Sequence, residues 1–422
     1  MYGFKLADYV PAPEPAHTDR IVACHYYPGW QKDGFVAHKG FYDLQEYPER
    51  TPIMGYYQES DSEATDWQIK WAVEHGINCF IYCWYRFKEN VGKPVTREGI
   101  RLADAVHDGL FHAKFRNCIK FSIMWECDTA WGKAADEQDL LDHILPYWVE
   151  NYFSKNYLTI GNKPYVFVYA PEKLIEAFGS AKACAQALGK ANERIKDYGY
   201  DGIVFFADNN SMDEASQEIL MQAGFTCSFQ YCWDIMMDRD PDRPDKEFVM
   251  VPDDVREEYI ANNCNLPQEY AVKTLLKMME HRQMHYPGTS VITVSSMRDS
   301  TPWFHLPQIC PNGPMGPVAK YTLSPASWKK LLKGAKRIMD AYPENSLGRS
   351  MILLDNWNEY SEGHYIAPTL GAGFQYLQAL REVFTDCDNL PDYRTPQLLG
   401  LGPYDKAWKK GSKDKHTNVK GD

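Results

Sequence analysis

Short runs of apolar residues recur along the chain, and each run is followed by a longer segment whose apolar residues have helical spacing. The runs are rich in β-branched and aromatic side chains and are apolar at nearly every position, which is typical of strands buried in a parallel sheet. Eight strands are predicted, at residues 21–27, 79–85, 120–126, 164–170, 203–208, 226–233, 291–297 and 351–358.

Helices are predicted between these strands, at residues 62–75, 96–115, 138–152, 182–198, 213–223, 266–285, 327–341 and 373–384. Eight alternating strand and helix units indicate an α/β protein with a (β/α)8 TIM barrel. We expect one domain over residues 1–400 and a polar, flexible tail at 401–422. Long loops after strands six and seven, at 234–265 and 299–324, are predicted to be lids or walls of a binding site, with disorder as the alternative.

The predicted strands end in aromatic and polar residues, and in a (β/α)8 barrel the chemistry lies at those ends. Aromatic rings stack on sugar rings, and carboxylates, amides and guanidinium groups bind hydroxyls, so we predict a carbohydrate site. The alternative is that the rings are amphipathic residues at the core boundary. The candidate substrate-binding residues are Tyr26, Tyr27, Trp84, Trp125, Glu126, Tyr169, Asn209, Tyr231, Trp233 and Arg298, together with Asn358 and Tyr360 after the last strand.

Two carboxylates, Glu359 and Glu362, follow the apolar run of the last strand and are three residues apart. Acids this close repel each other's charge, which raises the pKa of one and leaves the other ionised. One could then donate a proton while the other accepts one, and both are candidate catalytic residues. The alternative is that they are solvated acids in the first turn of a helix.

The composition excludes several classes of function. The 422 residues carry a formal net charge of -12, which gives no electrostatic footprint for nucleic acid. No glycine-rich dinucleotide motif follows the first strand and no P-loop lysine is present, so no cofactor is expected. The histidine pairs lie within predicted helices, and no metal site is expected.

The eleven cysteines are scattered and form no compact disulfide framework, which favours a reducing compartment. The first residues contain no apolar segment typical of a signal peptide, and no run is long enough to span a membrane. The sequence therefore predicts a cytoplasmic protein, or a periplasmic or secreted one if a leader has been removed. It does not indicate an oligomeric state.

A resemblance to a known family rests on the segment Asn-Glu-Tyr-Ser-Glu-Gly at 358–363, followed by Tyr-Ile-Ala-Pro at 365–368. It resembles the Asn-Glu-Trp-x-Glu-Gly…Glu-Pro signature of the glycoside hydrolase family 99 and WbsX-like superfamily. Further similarities are His-Tyr-Tyr-Pro at 25–28, the run at 76–82, Lys-Pro-Tyr-Val-Phe at 163–167, and the segment 371–380. Family 99 contains endo-acting α-mannosidases.

The resemblance implies a retaining mechanism in which Glu359 assists attack by the substrate's own 2-hydroxyl and Glu362 is the general acid. Tyr360 and Ser361 stand where family 99 enzymes usually carry Trp and His, and Ala367 replaces a glutamate. The chain is therefore more similar to the WbsX-like branch, which has been labelled glycosyltransferase.

The main hypothesis is a retaining glycoside hydrolase that acts on a polysaccharide or an oligosaccharide. The first alternative is a WbsX-like glycosyltransferase of surface-polysaccharide biosynthesis. The second is a barrel that binds glycans without catalysis. An ordinary double displacement with a carboxylate nucleophile is also open, because close carboxylates suit that route as well.

Overall fold

A barrel of eight parallel strands forms the centre of the protein. The computed structural model describes residues 6–31, 40–128, 131–240, 243–304 and 318–405. Within these residues the barrel strands are β1 (Ile21–Tyr26), β2 (Cys79–Arg86), β3 (Lys120–Glu126), β4 (Lys163–Tyr169), β5 (Val204–Asp208), β6 (Cys227–Phe229), β7 (Ile292–Ser295) and β8 (Met351–Asp355). Each strand from β1 to β5 pairs with the next, and β8 pairs with both β1 and β7. The predicted (β/α)8 barrel is confirmed.

The barrel closes between β6 and β7 through a short contact. A single parallel bridge joins Ser228 to Ser290. The backbone N–H of Ser228 donates to the carbonyl of Thr289 at 2.8 Å, and the N–H of Val291 donates to the carbonyl of Ser228 at 2.9 Å. The ends of β6 and β7 are thereby held at the same rim as the ends of the other strands.

Helices surround the barrel. Those of eight or more residues in the described parts of the chain are α1 (Ser62–Glu74), α2 (Pro171–Phe178), α3 (Ala181–Arg194), α4 (Glu214–Gln222), α5 (Asp253–Ala261), α6 (Gln268–His285), α7 (Pro325–Asp340) and α8 (Gln375–Phe384). Asp61 caps α1 by accepting the backbone N–H of Glu63 at 2.9 Å, which satisfies a donor that the helix leaves open. Among the described helices, none combines the length and apolar character needed to cross a bilayer.

The helical layer differs from the prediction after β2 and β3. The segment predicted as one helix at 96–115 contains the two-residue strand Ile100–Arg101, which pairs antiparallel with the end of β2, and a π-helix at Ala105–Leu110. Because β2 continues beyond the barrel rim, its backbone can accept this extra strand. The predicted helix after β3 is a helical segment from Glu137 to Phe153 with two π-helical stretches.

Both long loops carry ordered elements. The segment after β6 contains α5, and Met236 within it forms bridges with Met250 and Val318. After β7, the strand Met297–Arg298 pairs with Tyr321–Thr322. Residues 305–317, and residues 406–422 of the predicted tail, lie outside the described parts of the chain.

Candidate active site

A tight hairpin after β8 carries both predicted catalytic acids. The strand Asn358–Glu359 pairs antiparallel with His364–Tyr365, so Glu359 lies opposite His364. Gly363 in the turn has a φ of +65°. A Cβ there would lie 2.2 Å from the carbonyl oxygen of Asp299, so the turn requires glycine. Glu362 is therefore held close to the end of β7.

Glu362 accepts two hydrogen bonds from basic side chains. Its Oε2 lies 2.7 Å from Nη1 of Arg298 and 3.1 Å from Nε2 of His364. Burial alone would raise the pKa of Glu362, but the hydrogen bond from His364 and the charge of Arg298 lower it to about 2. The carboxyl is therefore ionised at neutral pH.

His364 is a buried cation. Its Nδ1 is hydrogen-bonded to Oδ1 of Asp355, and Oδ2 of Asp355 accepts the hydroxyl of Ser295 at 2.6 Å. Burial lowers the pKa of His364, but the charge of Asp355 and the hydrogen bonds to Asp355 and Glu362 together outweigh burial and raise the pKa to about 9. Both ring nitrogens then carry protons, one donated to Asp355 and the other to Glu362.

Arg298 is fixed at its other end by a second carboxylate. Its Nε donates to Oδ1 of Asp234 at 3.2 Å, and both side chains are buried. The guanidinium group therefore spans Asp234 and Glu362, with little freedom to turn away from either.

Glu359 has a neutral hydrogen-bond donor. The hydroxyl of Tyr231 donates to its Oε2 at 3.3 Å and itself accepts from Nδ2 of Asn356 at 2.8 Å. Burial raises the pKa of Glu359 well above its usual value, and the charge of Glu362 raises it further. The two acids of the hairpin are therefore pushed toward opposite protonation states, as the sequence predicts for a close pair.

Two acids from other strands, Glu126 and Asp208, share the barrel lumen with the pair. Burial raises the pKa of Glu126 well above its usual range, and Asp128, Asp208 and Glu359 add to that rise. Burial also raises the pKa of Asp208 to about 7, although its Oδ1 accepts the backbone N–H of Tyr231 at 2.8 Å. Glu126, Asp208 and Glu359 therefore lie close enough for their charges to interact.

The floor of the site is aromatic. The ring of His25 stacks on Phe229 with centroids 5.5 Å apart and meets the edge of Phe167 at 6.2 Å. Burial lowers the pKa of His25 to about 3, so the ring is neutral.

Seven of the predicted site residues come together in this lumen. Tyr231 contacts Glu359, and the Tyr169 ring meets the Tyr231 ring at 5.7 Å. Burial raises the pKa of Tyr27, and the charges of Glu359 and Glu362 add to the rise. The seven are Glu359, Glu362, Tyr27, Glu126, Tyr169, Tyr231 and Arg298.

The other predicted residues contact the surrounding layers. Nε1 of Trp84 donates to the Tyr152 hydroxyl at 3.1 Å, and the Trp125 ring lies 5.2 Å from that of Trp148, so both pack under the helical segment after β3. The remaining five are Tyr26, bonded to Gln68; Asn209, bonded to Gln217; Trp233, bonded to the carbonyl of Thr293; Asn358, bonded to Tyr27; and Tyr360, packed on Trp30. The structure does not bring these seven to the lumen with the acid pair.

Several residues described at the site were not among the predicted site residues. They include His364, Asp355, Asp234, Asn356, Asp208 and Tyr85, and the charges of Glu126 and Glu359 raise the pKa of Tyr85. Asp355 is the polar residue at the end of the apolar strand β8, and this position could have identified it as a site residue from the sequence. His364 follows Glu362 by two residues, but only the hairpin turn brings the two side chains into contact. Within the described residues, no group of three or more His, Cys, Asp or Glu side chains could hold a metal ion.

Comparisons with known proteins agree with this architecture. A family model described as Glycosyltransferase WbsX matches residues 35–380. The glycoside hydrolase family 99 endo-α-mannosidase of Bacteroides thetaiotaomicron has a TM-score of 0.53 at 14% identity, over 86% of this chain and 96% of that chain. A protein described as glycoside hydrolase-like has a TM-score of 0.55 at 14% identity, over 90% and 98% of the two chains. No curated protein matches the sequence. At this level of identity, the structural matches establish the shared barrel fold.

Proposed function

The chain belongs to the Glycosyltransferase WbsX family and shares its barrel fold with a glycoside hydrolase family 99 enzyme, and we propose that it hydrolyses glycosidic bonds in a polysaccharide or an oligosaccharide. The observation that carries this proposal is the pair Glu359 and Glu362. Both acids lie on one hairpin at the carboxyl end of β8, where (β/α)8 enzymes place their chemistry. Their opposite protonation tendencies supply the acid and the base that glycoside cleavage requires.

The reaction we propose retains the anomeric configuration. One glutamate takes the proton of the substrate's 2-hydroxyl as its oxygen bonds to C1, while the other protonates the glycosidic oxygen as the C1–O bond breaks. Water then adds to C1, the bond between O2 and C1 breaks, and the proton of O2 is restored. The net change is one glycoside and one water converted to a free sugar and an alcohol, with both glutamates regenerated.

Substrate binding is assigned to the rings and polar groups that share the lumen with the pair. Tyr169 and Tyr231 supply ring faces for a sugar, and Glu126 and Arg298 supply groups for hydroxyls. The charges of both acids act on the hydroxyl of Tyr27, whose pKa they raise. Because the titratable groups in this space are buried, their hydrogen bonds to a substrate would form away from bulk water, where such bonds are stronger.

The test is a chromatographic product screen with α-mannans and bacterial polysaccharides. We include α-mannans because the structurally similar family 99 protein is an endo-α-mannosidase. We expect the wild type to release product, and Glu359→Gln and Glu362→Gln to release none from natural substrate. Glu193→Gln, an exposed residue paired with Lys196 on the outer surface, is the matched control and should be fully active.

Three results would contradict the proposal in different ways. Unchanged turnover by either variant of the pair would remove the catalytic assignment. Tight glycan binding without product would favour a barrel that only binds glycans. Failure of the wild type to bind or cleave any glycan would remove the carbohydrate assignment itself.

A glycosyltransferase is the second candidate, and the description of the matching family favours it. The same acids would then activate an acceptor hydroxyl and a donor. Calorimetry with nucleotide sugars and lipid-linked sugars separates the two functions, because a transferase must bind a donor. Donor binding together with transfer to an acceptor, and no transfer to water, would replace the hydrolase proposal.

A further inference from the structure

A cleft of about 280 Å³ lies at the opposite end of the barrel from the acid pair. Phe121, the second residue of β3, lines this cleft, whereas Glu126 at the other end of β3 lies in the lumen. Five steps along an extended strand separate these two residues by about 16 Å. The cleft is therefore distinct from the proposed active site, and it shares no lining residue with it.

The floor of the cleft is apolar. Leu110 and Phe121 are buried and Phe111 is half-buried, and the rings of Phe111 and Phe121 meet edge to face with their centroids 5.5 Å apart. Leu110 is the last residue of the π-helix Ala105–Leu110, and π-helical turns occur frequently at functional sites. A concave site with aromatic and aliphatic side chains at its base is typical of small-molecule binding.

The rim of the cleft is basic. Arg116 and Lys155 are exposed, and Nη1 of Arg116 donates to the carbonyl of Ala113 at 3.0 Å, which uses one of the five N–H donors of the guanidinium group. Nζ of Lys155 lies 6.0 Å from the centroid of the Phe111 ring. Among the residues that the structure describes, neither cation forms an ion pair with a carboxylate. In a protein with a net charge of -12, two such cations make the rim a local site of attraction for an anion.

Hydrogen bonds hold the two sides of the cleft together. Nδ2 of Asn156, which also lines the cleft, donates to the carbonyl of Ile119 at 2.7 Å, and its Oδ1 accepts Nζ of Lys120 at 2.7 Å. The backbone N–H of Leu158 donates to the carbonyl of Phe121 at 2.7 Å. These bonds join the segment before β3 to the segment that follows the next helices, so the cleft is preformed. Lys120 adds a third positive charge beside the rim.

We propose that this cleft is a second carbohydrate site, which binds one acidic unit of a polysaccharide, a sugar ring that bears a carboxylate. The ring packs on the apolar floor, the carboxylate binds Arg116 and Lys155, and the amide of Asn117 at the rim bonds a hydroxyl. The volume is near the lower limit for small-molecule sites, which suits a single sugar unit. The inference rests on the proposed function for the identity of the ligand, because the polymer held here is the one whose bonds the acid pair would cleave.

Affinity electrophoresis in native gels tests the binding. The probes are polygalacturonate, whose units carry a carboxylate, and α-mannan, whose units are neutral. We expect polygalacturonate to retard the wild type, and the dissociation constant from this retardation to rise about tenfold or more in Arg116→Gln and in Lys155→Gln, because each variant loses a charged hydrogen bond. Any retardation by α-mannan should be the same in all of these proteins.

Lys182→Gln is the matched control, because Lys182 is an exposed lysine of α3 outside the cleft. It should be retarded by polygalacturonate as the wild type is. Absence of retardation of the wild type by polygalacturonate would overturn the inference. Equal retardation of the wild type and of both cleft variants would overturn it as well.

Competition with small molecules separates a sugar site from a simple anion site. Galacturonate should restore the mobility of the wild type at a lower concentration than inorganic phosphate does, and neutral galactose should not restore it. Phe111→Leu keeps both cations but removes the ring from the floor, so it should abolish the preference for galacturonate. Equal displacement by galacturonate and phosphate in the wild type would show a site for anions alone and would overturn the inference.

The two proposals can fail separately. Arg116→Gln should keep its kcat/KM on a short neutral substrate and lose efficiency only on a polymer with acidic units. If the wild type cleaves no glycan but its retardation depends on Arg116, the hydrolase proposal fails and the cleft still binds an acidic sugar. If the wild type cleaves glycans and its retardation does not depend on Arg116, only the inference about the cleft fails.

Discussion

Asn358 and Tyr27 exchange two hydrogen bonds across the junction of β8 and β1. The backbone N–H of Tyr27 donates to Oδ1 of Asn358 at 2.8 Å, and Nδ2 of Asn358 donates to the carbonyl of Tyr27 at 2.9 Å. Nδ2 also lies 3.1 Å from Oε1 of the buried Glu59. The residue before the acid pair thus fixes the hairpin to the first strand.

Replacing Asn358 with alanine should destabilise the fold. The substitution leaves two backbone groups of Tyr27 without their partner inside the protein, at a cost of about 2–4 kcal/mol in the free energy of unfolding. Urea denaturation measures this cost. Asn151→Ala is the control, because its amide donates only to the carbonyl of Tyr147 in a half-buried position, and it should cost less than about 1 kcal/mol. An equal loss in the free energy of unfolding for both variants would contradict the role of Asn358 in fixing the hairpin to β1.

The stability of the protein should fall as the pH rises from about 6.5 to about 9. The pKa of His364 is 6.5 when unperturbed and about 9 in the fold, so its stabilising effect is complete below pH 6.5 and is lost as the pH passes the higher value. Denaturation midpoints measured across this range should decline less steeply in His364→Gln than in the wild type. His143→Gln should keep the wild-type slope, and a wild-type slope in His364→Gln would rule out a cationic imidazole.

Residues near the ends of two neighbouring strands, Trp125 on β3 and Tyr85 on β2, should give opposite phenotypes. Trp125→Phe reduces packing against Trp148 and should lower the free energy of unfolding by about 1–3 kcal/mol with little change in kcat/KM. Tyr85→Phe removes a hydroxyl from the lumen and should lower kcat/KM by about tenfold at unchanged stability. Denaturation and steady-state kinetics on both variants measure this split, and a catalytic loss in Trp125→Phe without destabilisation would contradict it.

Lys70 should be needed for folding because it compensates buried charge. Its Nζ lies 2.5 Å from Glu74 and 3.4 Å from Asp392, and the Lys70 and Glu74 side chains are almost fully buried. Lys70→Met leaves the buried carboxylate of Glu74 with backbone N–H donors but without the Lys70 cation, and should cost about 3–5 kcal/mol. The double variant Lys70→Met, Glu74→Leu should recover most of that loss in urea denaturation. If the double variant is as unstable as the single one, the loss of stability comes from altered packing and not from the unpaired charge of Glu74.

The ends of β1 to β5 were predicted to within one residue, whereas β6, β7 and β8 end two to four residues before their predicted ends. The side of each strand that faces the lumen was not predictable. Adjacent residues of a strand point to opposite sides, so only one member of each pair Trp84/Tyr85, Trp125/Glu126 and Asp208/Asn209 faces the lumen. In a half-buried strand, alternating polarity would reveal which one. These strands are buried on both faces, so polarity does not mark the inner side.

The contacts of Glu362 could not be predicted from local sequence patterns either. Arg298 is 64 positions away in the chain and meets Glu362 only because β7 and β8 are neighbours in the barrel. The acid pair itself could be found because both members lie in one short segment. Which acid of the pair has the lower pKa depends on Arg298 and Asp234, which lie in other segments of the chain. No sequence spacing indicates that these residues contact the pair.

The short hairpin after β8 has a further consequence for how this protein can change. Both proposed reacting carboxylates come from a stretch of four residues, whereas the other residues of the lumen come from several other strands. A substitution or a loop insertion on those strands can alter which sugar fits without moving one glutamate relative to the other. Substrate preference can therefore change within this fold while the relative positions of the two glutamates stay the same.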